Sequence, residues 1–203
     1  MMEFIKGEFT GFDCGITTWD EPKVRMYKGK KVVGRPTRGF GDSPFNYAGK
    51  LYEPEPWTTP MTAIKLNAEY LVSEKLKKEV KFNFCLCGYY GPEGKGIPHH
   101  SDTVPTKNDI VLSVSLGAPR VFEWLEYEKN IKDKVDTSEI DTKYIPKKSL
   151  THYLMEDGDV FIFDGKSQMR STHAVLDMKG CGERINLTFR SCLLYTSPSP
   201  RDY

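Results

Sequence analysis

The spacing of apolar residues changes character along the chain. Between 59 and 78, Met61, Ile64, Ala68, Leu71 and Leu76 recur near helical spacing. Lys65, Glu69, Glu74, Lys75 and Lys77 mark the opposite, wet face, so the pattern predicts an amphipathic helix. Pro60 suits its first helical position and Thr59 its cap, and the helix reads as a structural brace. After Val80 the runs shorten. Segments 82–90, 110–116, 120–125, 159–163 and Arg184–Arg190 are β-branched or aromatic and bounded by Gly, Pro or Asp, as strands are. Between them, 126–148 is a charged, lysine-rich insertion, expected as a solvated hairpin or mobile loop with no functional role. Residues 1–33 show no clear pattern, apart from Gly29-Lys30-Lys31, which reads as a turn. Short strands after a helical start predict a mainly β fold with flanking α, a jelly roll or barrel rather than a parallel sheet.

The stretch 34–60 departs from both patterns. Gly, Pro, Tyr, Phe and Trp alternate there with Arg35, Arg38, Asp42 and Lys50, which rules out a helix interior and predicts an aromatic-rich loop or hairpin. Aromatics interleaved with cations can stack on bases and neutralise phosphates. On residue type alone, the plainer reading is that Phe40, Phe45, Tyr47, Tyr52 and Trp57 are core residues.

Composition narrows the classes. The 203 residues are 38% hydrophobic and 28% charged, enough for one globular domain with a proper core. Twenty-nine Lys and Arg against 28 Asp and Glu give a net charge of +1, so any nucleic-acid surface must be a local patch. Cys14, Cys85, Cys87, Cys181 and Cys192 are odd in number and lack zinc-site spacing, and Cys85 and Cys87 read as small core residues on one strand face. No apolar run approaches the ~18 residues of a membrane span, and no signal-peptide core stands at the start. An intracellular setting (cytoplasm or nucleus) and a monomer are expected. Residues 193–203 fit nothing before them and read as a non-native tail.

The chemistry gathers around Ile-Pro-His-His-Ser-Asp at 97–102. In an extended strand, His100 and Asp102 project to one face. With one distant histidine they could form the 2-His-1-carboxylate facial triad that holds Fe(II) and leaves positions open. His173, beyond the apolar run at 160–163, is a candidate third ligand. Period two places Arg184, Asn186, Thr188 and Arg190 on one strand face and Ile185, Leu187 and Phe189 on the other. Arginine's planar fork suits a dicarboxylate beside a metal. Tyr90 could hydrogen-bond the same carboxylate.

The order Tyr90, His100-Ser-Asp102, Ser113-Val-Ser-Leu-Gly-Ala-Pro-Arg120, Gly158-Asp159, His173 and Arg184-x-Asn-Leu-Thr-Phe-Arg190 resembles AlkB-like Fe(II)/2-oxoglutarate dioxygenases. Upstream, Arg35, Phe40-Gly-Asp42, Tyr47, Gly49 and Pro56-Trp57 resemble that family's nucleotide-recognition lid. The resemblance implies a single domain over 1–192: a cupin-like double-stranded β-helix core at 80–192 and an N-terminal lid at 34–57. It implies that His100, Asp102 and His173 bind Fe(II). Tyr90 and Arg184 would take the distal carboxylate of 2-oxoglutarate, and Arg190, with Asn186 and Thr188, its metal end. Arg35, Arg38, Phe40, Asp42, Tyr47, Trp57, Val104 and Arg120 would meet the substrate, a methylated base in single-stranded or base-flipped DNA or RNA. The implied reaction is oxidative demethylation, releasing formaldehyde, succinate and CO2. The rival reading is a dioxygenase of the same fold acting on a small molecule, a protein side chain or a different modified base.

Two positions depart from the family pattern. Gly88 stands where an asparagine is frequent, which removes one cosubstrate hydrogen bond. Val104 stands where repair enzymes usually carry an acid, and a cationic methylated base buried without a carboxylate is costly.

Overall fold

The computed structural model describes residues 1–191 except 23, 28, 29, 43, 48, 49 and 138, with backbone alone at 25–27, 30–32, 45–47 and 50–52. In chain order its elements are β1 (Met2–Ile5), β2 (Val24–Tyr27), β3 (Lys30–Val33), β4 (Thr37–Gly41), β5 (Phe45–Tyr47), β6 (Lys50–Tyr52), α1 (Thr59–Leu76) and β7 (Phe84–Tyr90). There follow β8 (Ile97–His100), β9 (Ile110–Gly117), β10 (Arg120–Tyr127), β11 (Lys147–Met155), β12 (Val160–Asp164), α2 (Gly165–Gln168), β13 (Ser171–Val175) and β14 (Arg184–Arg190).

Two antiparallel sheets carry the architecture. The major sheet runs β1-β12-β9-β14-β7-β4 and the minor sheet β11-β10-β13-β8, while β2-β3 and β5-β6 form two separate hairpins. Apolar inner faces hold the sheets together: Phe161 and Phe163 of β12 meet Phe122 and Trp124 of β10, with ring centroids 4.6–5.5 Å apart. This is the jelly roll that the strand pattern predicts. On the outer face of the major sheet, α1 buries Met61, Ile64, Ala68 and Val72 in a cluster with Cys85, Leu187 and Phe189.

The helix starts as its sequence suggests, but Thr58 rather than Thr59 is the cap, its hydroxyl accepting from the Met61 amide at 3.4 Å. Glu69, expected on the wet face, is 4% exposed. It accepts from the Phe82 amide at 2.8 Å and pairs with Lys65 at 3.0 Å, which compensates its burial. Cys85 and Cys87 are fully buried, with their sulfurs 3.8 Å apart.

Several segments differ from expectation. The core is not confined to 80–192, because β1 pairs with β12 and β4 pairs with β7 in the major sheet. The stretch at 34–57 therefore divides: Thr37–Gly41 is an edge strand of the core sheet, and Phe40 is 1% exposed within it. Lys30 and Lys31 belong to β3 rather than to a turn. The insertion at 126–148 is not merely solvated, since Ile131, Lys132 and Val135 are buried and the Ile131 amide donates to the Met169 carbonyl at 2.8 Å. Residues 193–203, Cys192, Gly49 and the side chain of Tyr47 lie outside the described residues. Among the described residues, no helix is long and apolar enough to cross a membrane.

Candidate active site

The minor sheet supplies two imidazoles. His100 closes β8 and His173 sits in the middle of β13, directly opposite it in register, with ring centroids 4.3 Å apart. Asp102 lies two residues beyond the end of β8, where no ladder holds its peptide. The reach of its carboxylate thus depends on local ties rather than on strand alternation. Its amide donates to Gln168 Oε1 at 2.8 Å, and its carbonyl accepts from Lys132 Nζ at 2.7 Å. Sequence reasoning missed both residues, since each acts on a backbone group distant in sequence.

The three side chains converge. One ligand atom from each of His100, Asp102 and His173 lies within 4.8 Å of the others. The Asp102 carboxylate stands 3.9 Å from Nε2 of either histidine, beyond hydrogen-bonding range. His100 Nδ1 lies 2.9 Å from the Pro98 carbonyl, which cannot donate, so Nδ1 carries the proton and Nε2 keeps its lone pair for the centre. The ring of His173 is stacked on Trp124 at 5.8 Å with 6° between planes, and Phe122 and Phe163 close its other sides.

Charge states suit cation binding. Burial, with help from His100 and Arg190, depresses His173 to about 3, and burial also lowers His100. Both imidazoles are therefore neutral near pH 7. Burial would raise the Asp102 carboxyl, but Arg190, His173, His100 and Lys132 outweigh it and hold the group at about 2. Two neutral imidazoles and one carboxylate, their ligand atoms within 4.8 Å of one another, fit a divalent iron. Burial lowers Lys132 to about 8 against the pull of Asp102 and Asp136.

The major sheet supplies the cations. Arg184 and Arg190 are each 2% exposed. Arg190 Nη2 approaches Asp102 Oδ2 at 3.4 Å. Arg184 Nη2 donates to Ser115 Oγ at 2.8 Å and to Asn186 Oδ1 at 2.7 Å, and Asn186 Nδ2 donates to Thr188 Oγ1 at 2.9 Å. That chain runs along one face of β14, as period two predicts. The Arg184 guanidinium carbon lies 4.7 Å from the centroid of the Tyr90 ring. Its Nε is buried and meets no hydrogen-bond acceptor among the described residues. Burial lowers the Arg184 pKa, with Tyr90 opposing and Arg35 and Arg120 adding to the fall. A buried guanidinium without a carboxylate partner calls for an anionic ligand, and this cradle fits the dicarboxylate 2-oxoglutarate.

The residues expected to meet substrate scatter. Arg35 lies over Tyr90, 4.9 Å from its centroid. Arg38 is engaged by Glu55 in a two-pronged ion pair and by Thr18. Phe40 is in the core, and exposed Asp42 accepts from Trp57 Nε1 at 2.6 Å. Trp57 stacks on Phe189 at 6.3 Å. Arg120 is fully buried and donates to the carbonyls of Gly91, Pro119 and Gly182. Val104 is 2% exposed in the apolar cluster containing Val135 and Met169.

The chain also has relatives among known proteins. Residues 19–190 match the family model of the 2OG-Fe(II) oxygenase superfamily. Alpha-ketoglutarate-dependent dioxygenase alkB homolog 3 of Mus musculus is 28% identical over 82% of this chain and 53% of its own length. Its Rattus norvegicus counterpart is 27% identical over 82% of this chain and 52% of its own. The chain thus spans about half the length of the curated relatives it matches. The solved structure of OsALKBH1 superposes with a TM-score of 0.62 at 20% identity, over 94% of this chain and 96% of that one, and shares the fold. With relatives among the alkB homologs and a His-Asp-His triad and buried arginines that fit Fe(II) and 2-oxoglutarate, the chain belongs to the 2OG-Fe(II) oxygenase superfamily.

Proposed function

We propose that the chain is an oxidative demethylase of N-methylated bases in DNA or RNA. The observation that carries the reading is the AlkB-like order of site residues along the chain, joined to their convergence between the two sheets. In this reading His100, Asp102 and His173 hold the iron. Arg184 and Tyr90 receive one carboxylate of 2-oxoglutarate, and Arg190, beside Asp102, the metal end. Asn186 fixes Arg184, and Thr188 fixes Asn186, through the hydrogen-bond chain along β14. Phe122, Trp124 and Phe163 keep water from the inner side of His173.

Held by these residues, Fe(II) and 2-oxoglutarate would supply the oxidising chemistry, one atom of dioxygen ending in succinate as CO2 is released and the other in a methyl C–H bond of the base. The N-hydroxymethyl product then breaks its N–C bond, the proton returns to nitrogen, and formaldehyde leaves. Arg35, Arg184 and Arg190 crowd the pocket with positive charge, and Val104 is buried in an apolar cluster rather than set toward a base, so a neutral base such as N6-methyladenine is favoured.

The test is mass spectrometry of oligonucleotides bearing N6-methyladenine, N1-methyladenine or N3-methylcytosine, incubated with Fe(II), 2-oxoglutarate and ascorbate. A loss of 14 Da per methyl group, absent with Asp102→Ala, is expected. Succinate formation without change in any oligonucleotide would refute the nucleic-acid reading and leave the small-molecule or protein-side-chain dioxygenase.

A further inference from the structure

Gly88 is the position where a cosubstrate hydrogen bond is expected to be missing, and the structure fills it from elsewhere. Gly88 lies on β7, opposite Asn186 of β14 on one side and Thr37 of β4 on the other. A Cβ built there would stand 2.5 Å from Arg35 Nε, 3.3 Å from its Cδ and 3.4 Å from its Cζ. The absent side chain is thus the space that Arg35 occupies. Its guanidinium carbon lies 4.9 Å from the centroid of Tyr90, and that of Arg184 lies 4.7 Å from the same centroid. Two guanidinium groups therefore share one aromatic ring. Each has a buried Nε with no hydrogen-bond acceptor among the described residues.

Like charges gathered in this way repel, and burial strengthens the repulsion. Arg35 adds to the lowering of Arg184, as a like charge sharing its aromatic ring does. Arg38, three residues on, points elsewhere and is neutralised by Glu55. An anion reached by both guanidinium groups would cancel the repulsion.

We infer that Arg35 is a cosubstrate-binding residue, seated in the space left by Gly88, which grips with Arg184 the carboxylate of 2-oxoglutarate remote from the metal. The glycine and the arginine then act as one unit, the first making room for the second. The inference rests on the cosubstrate requirement of the superfamily and not on the demethylase reading.

The experiment is calorimetric titration of 2-oxoglutarate into Mn(II)-loaded protein, where binding is read without turnover. Arg35→Met should weaken 2-oxoglutarate about tenfold to a hundredfold, the range for charge-assisted hydrogen bonds, with Mn(II) affinity unchanged. Gly88→Ala should produce a similar loss by displacing the guanidinium, and the double variant should be no worse than the poorer single one. Should Arg35→Met fail to fold, Gly88→Ala, which retains the arginine, carries the test alone. A 2-oxoglutarate affinity within twofold of the parent in either variant, or losses that multiply in the double variant, would overturn the inference. So would an Arg35→Met protein that binds 2-oxoglutarate normally and loses only oligonucleotide binding. If the parent oxidises no oligonucleotide, the demethylase reading falls and this titration is unaffected.

Discussion

Gln168→Met separates the stability of the fold from the order of the metal centre. Gln168 is fully buried at the end of α2. Its Oε1 accepts from the Asp102 amide at 2.8 Å and from the Ser101 hydroxyl at 3.1 Å. Methionine conserves length and removes both contacts. Ser101 keeps a partner, because its hydroxyl also donates to the Gln168 main-chain carbonyl at 2.8 Å. The Asp102 amide is then the one donor newly orphaned, at a cost of about 1–3 kcal/mol. Against this, Gln168 Nε2 is itself buried without a partner among the described residues, and its removal recovers a penalty of about the same size. Folding stability should therefore change by less than about 2 kcal/mol. Metal affinity has no such offset. Asp102 stands beyond the strand end, and loss of the tie frees its carboxylate to swing. Outer partners of metal ligands typically contribute about tenfold to a hundredfold in affinity. Urea denaturation of the metal-free protein and Mn(II) titration measure the two quantities separately. Unchanged Mn(II) affinity would refute the positioning role, and a stability loss far above this range would mean that Gln168 is chiefly a core residue.

Two further outcomes follow from burial and charge. The folded pKa of His173 is about 3 against 6.5 for a free imidazole, so the unfolded chain takes up its proton first as acid is added. In the metal-free protein this contribution is fully present above pH 6.5 and is lost toward pH 3 at about 1.4 kcal/mol per pH unit; His100, also lowered by burial, acts in the same direction. Denaturant midpoints that stay flat from pH 7 to pH 4 would contradict a buried neutral pair. Val104→Asp places a carboxylate among Val135, Met169 and Phe163, with the Val104 Cγ2 only 3.0 Å from where a Gly165 Cβ would stand. It should cost about 3 kcal/mol or more rather than retune base choice, and a stable Val104→Asp protein with improved N1-methyladenine turnover would show that this residue faces the substrate.

What could be read from sequence was what depends on local period. The face shared by Arg184, Asn186, Thr188 and Arg190 follows from strand alternation alone, and the hydrogen bonds along β14 realise it. The inner strands at 110–117 and 160–164 are apolar because both their faces are covered. By contrast β11, at the edge of the minor sheet, is exposed over most of its length, Leu150 and Leu154 included, so its apolar residues trace no buried face. β1 is recognisable only through its pairing with β12, some 160 residues away. Lys132 reads as one charge in a basic run, yet its ammonium donates to the carbonyls of Asp102, Val135 and Thr137. Only tertiary structure distinguishes it from its solvated neighbours. The aromatics at 40 and 57 pack on the core, as the plainer reading of residue type has it.

The two halves of the site come from different sheets, and this constrains what can bind. Neutral imidazoles and Asp102 belong to the minor-sheet side, while Arg184, Arg190 and Arg35 approach from the major-sheet side. A net charge of +1 over the whole chain conceals this concentration of guanidinium around a single carboxylate. Iron adds further positive charge, and the two carboxylates of 2-oxoglutarate offset it, so the loaded pocket remains positive. Such a field would steer a phosphate backbone toward the site. The same field opposes insertion of a base that already carries a positive charge, and the opposition grows as water leaves. Glu55 is already neutralised by Arg38, while Asp42, exposed and hydrogen-bonded by Trp57, acts through water, which screens its pull on a buried cation. Attraction for the strand and reluctance toward a cationic base thus have one electrostatic origin. On the demethylase proposal, a neutral methylated base is therefore the substrate that this pocket would accommodate at least cost.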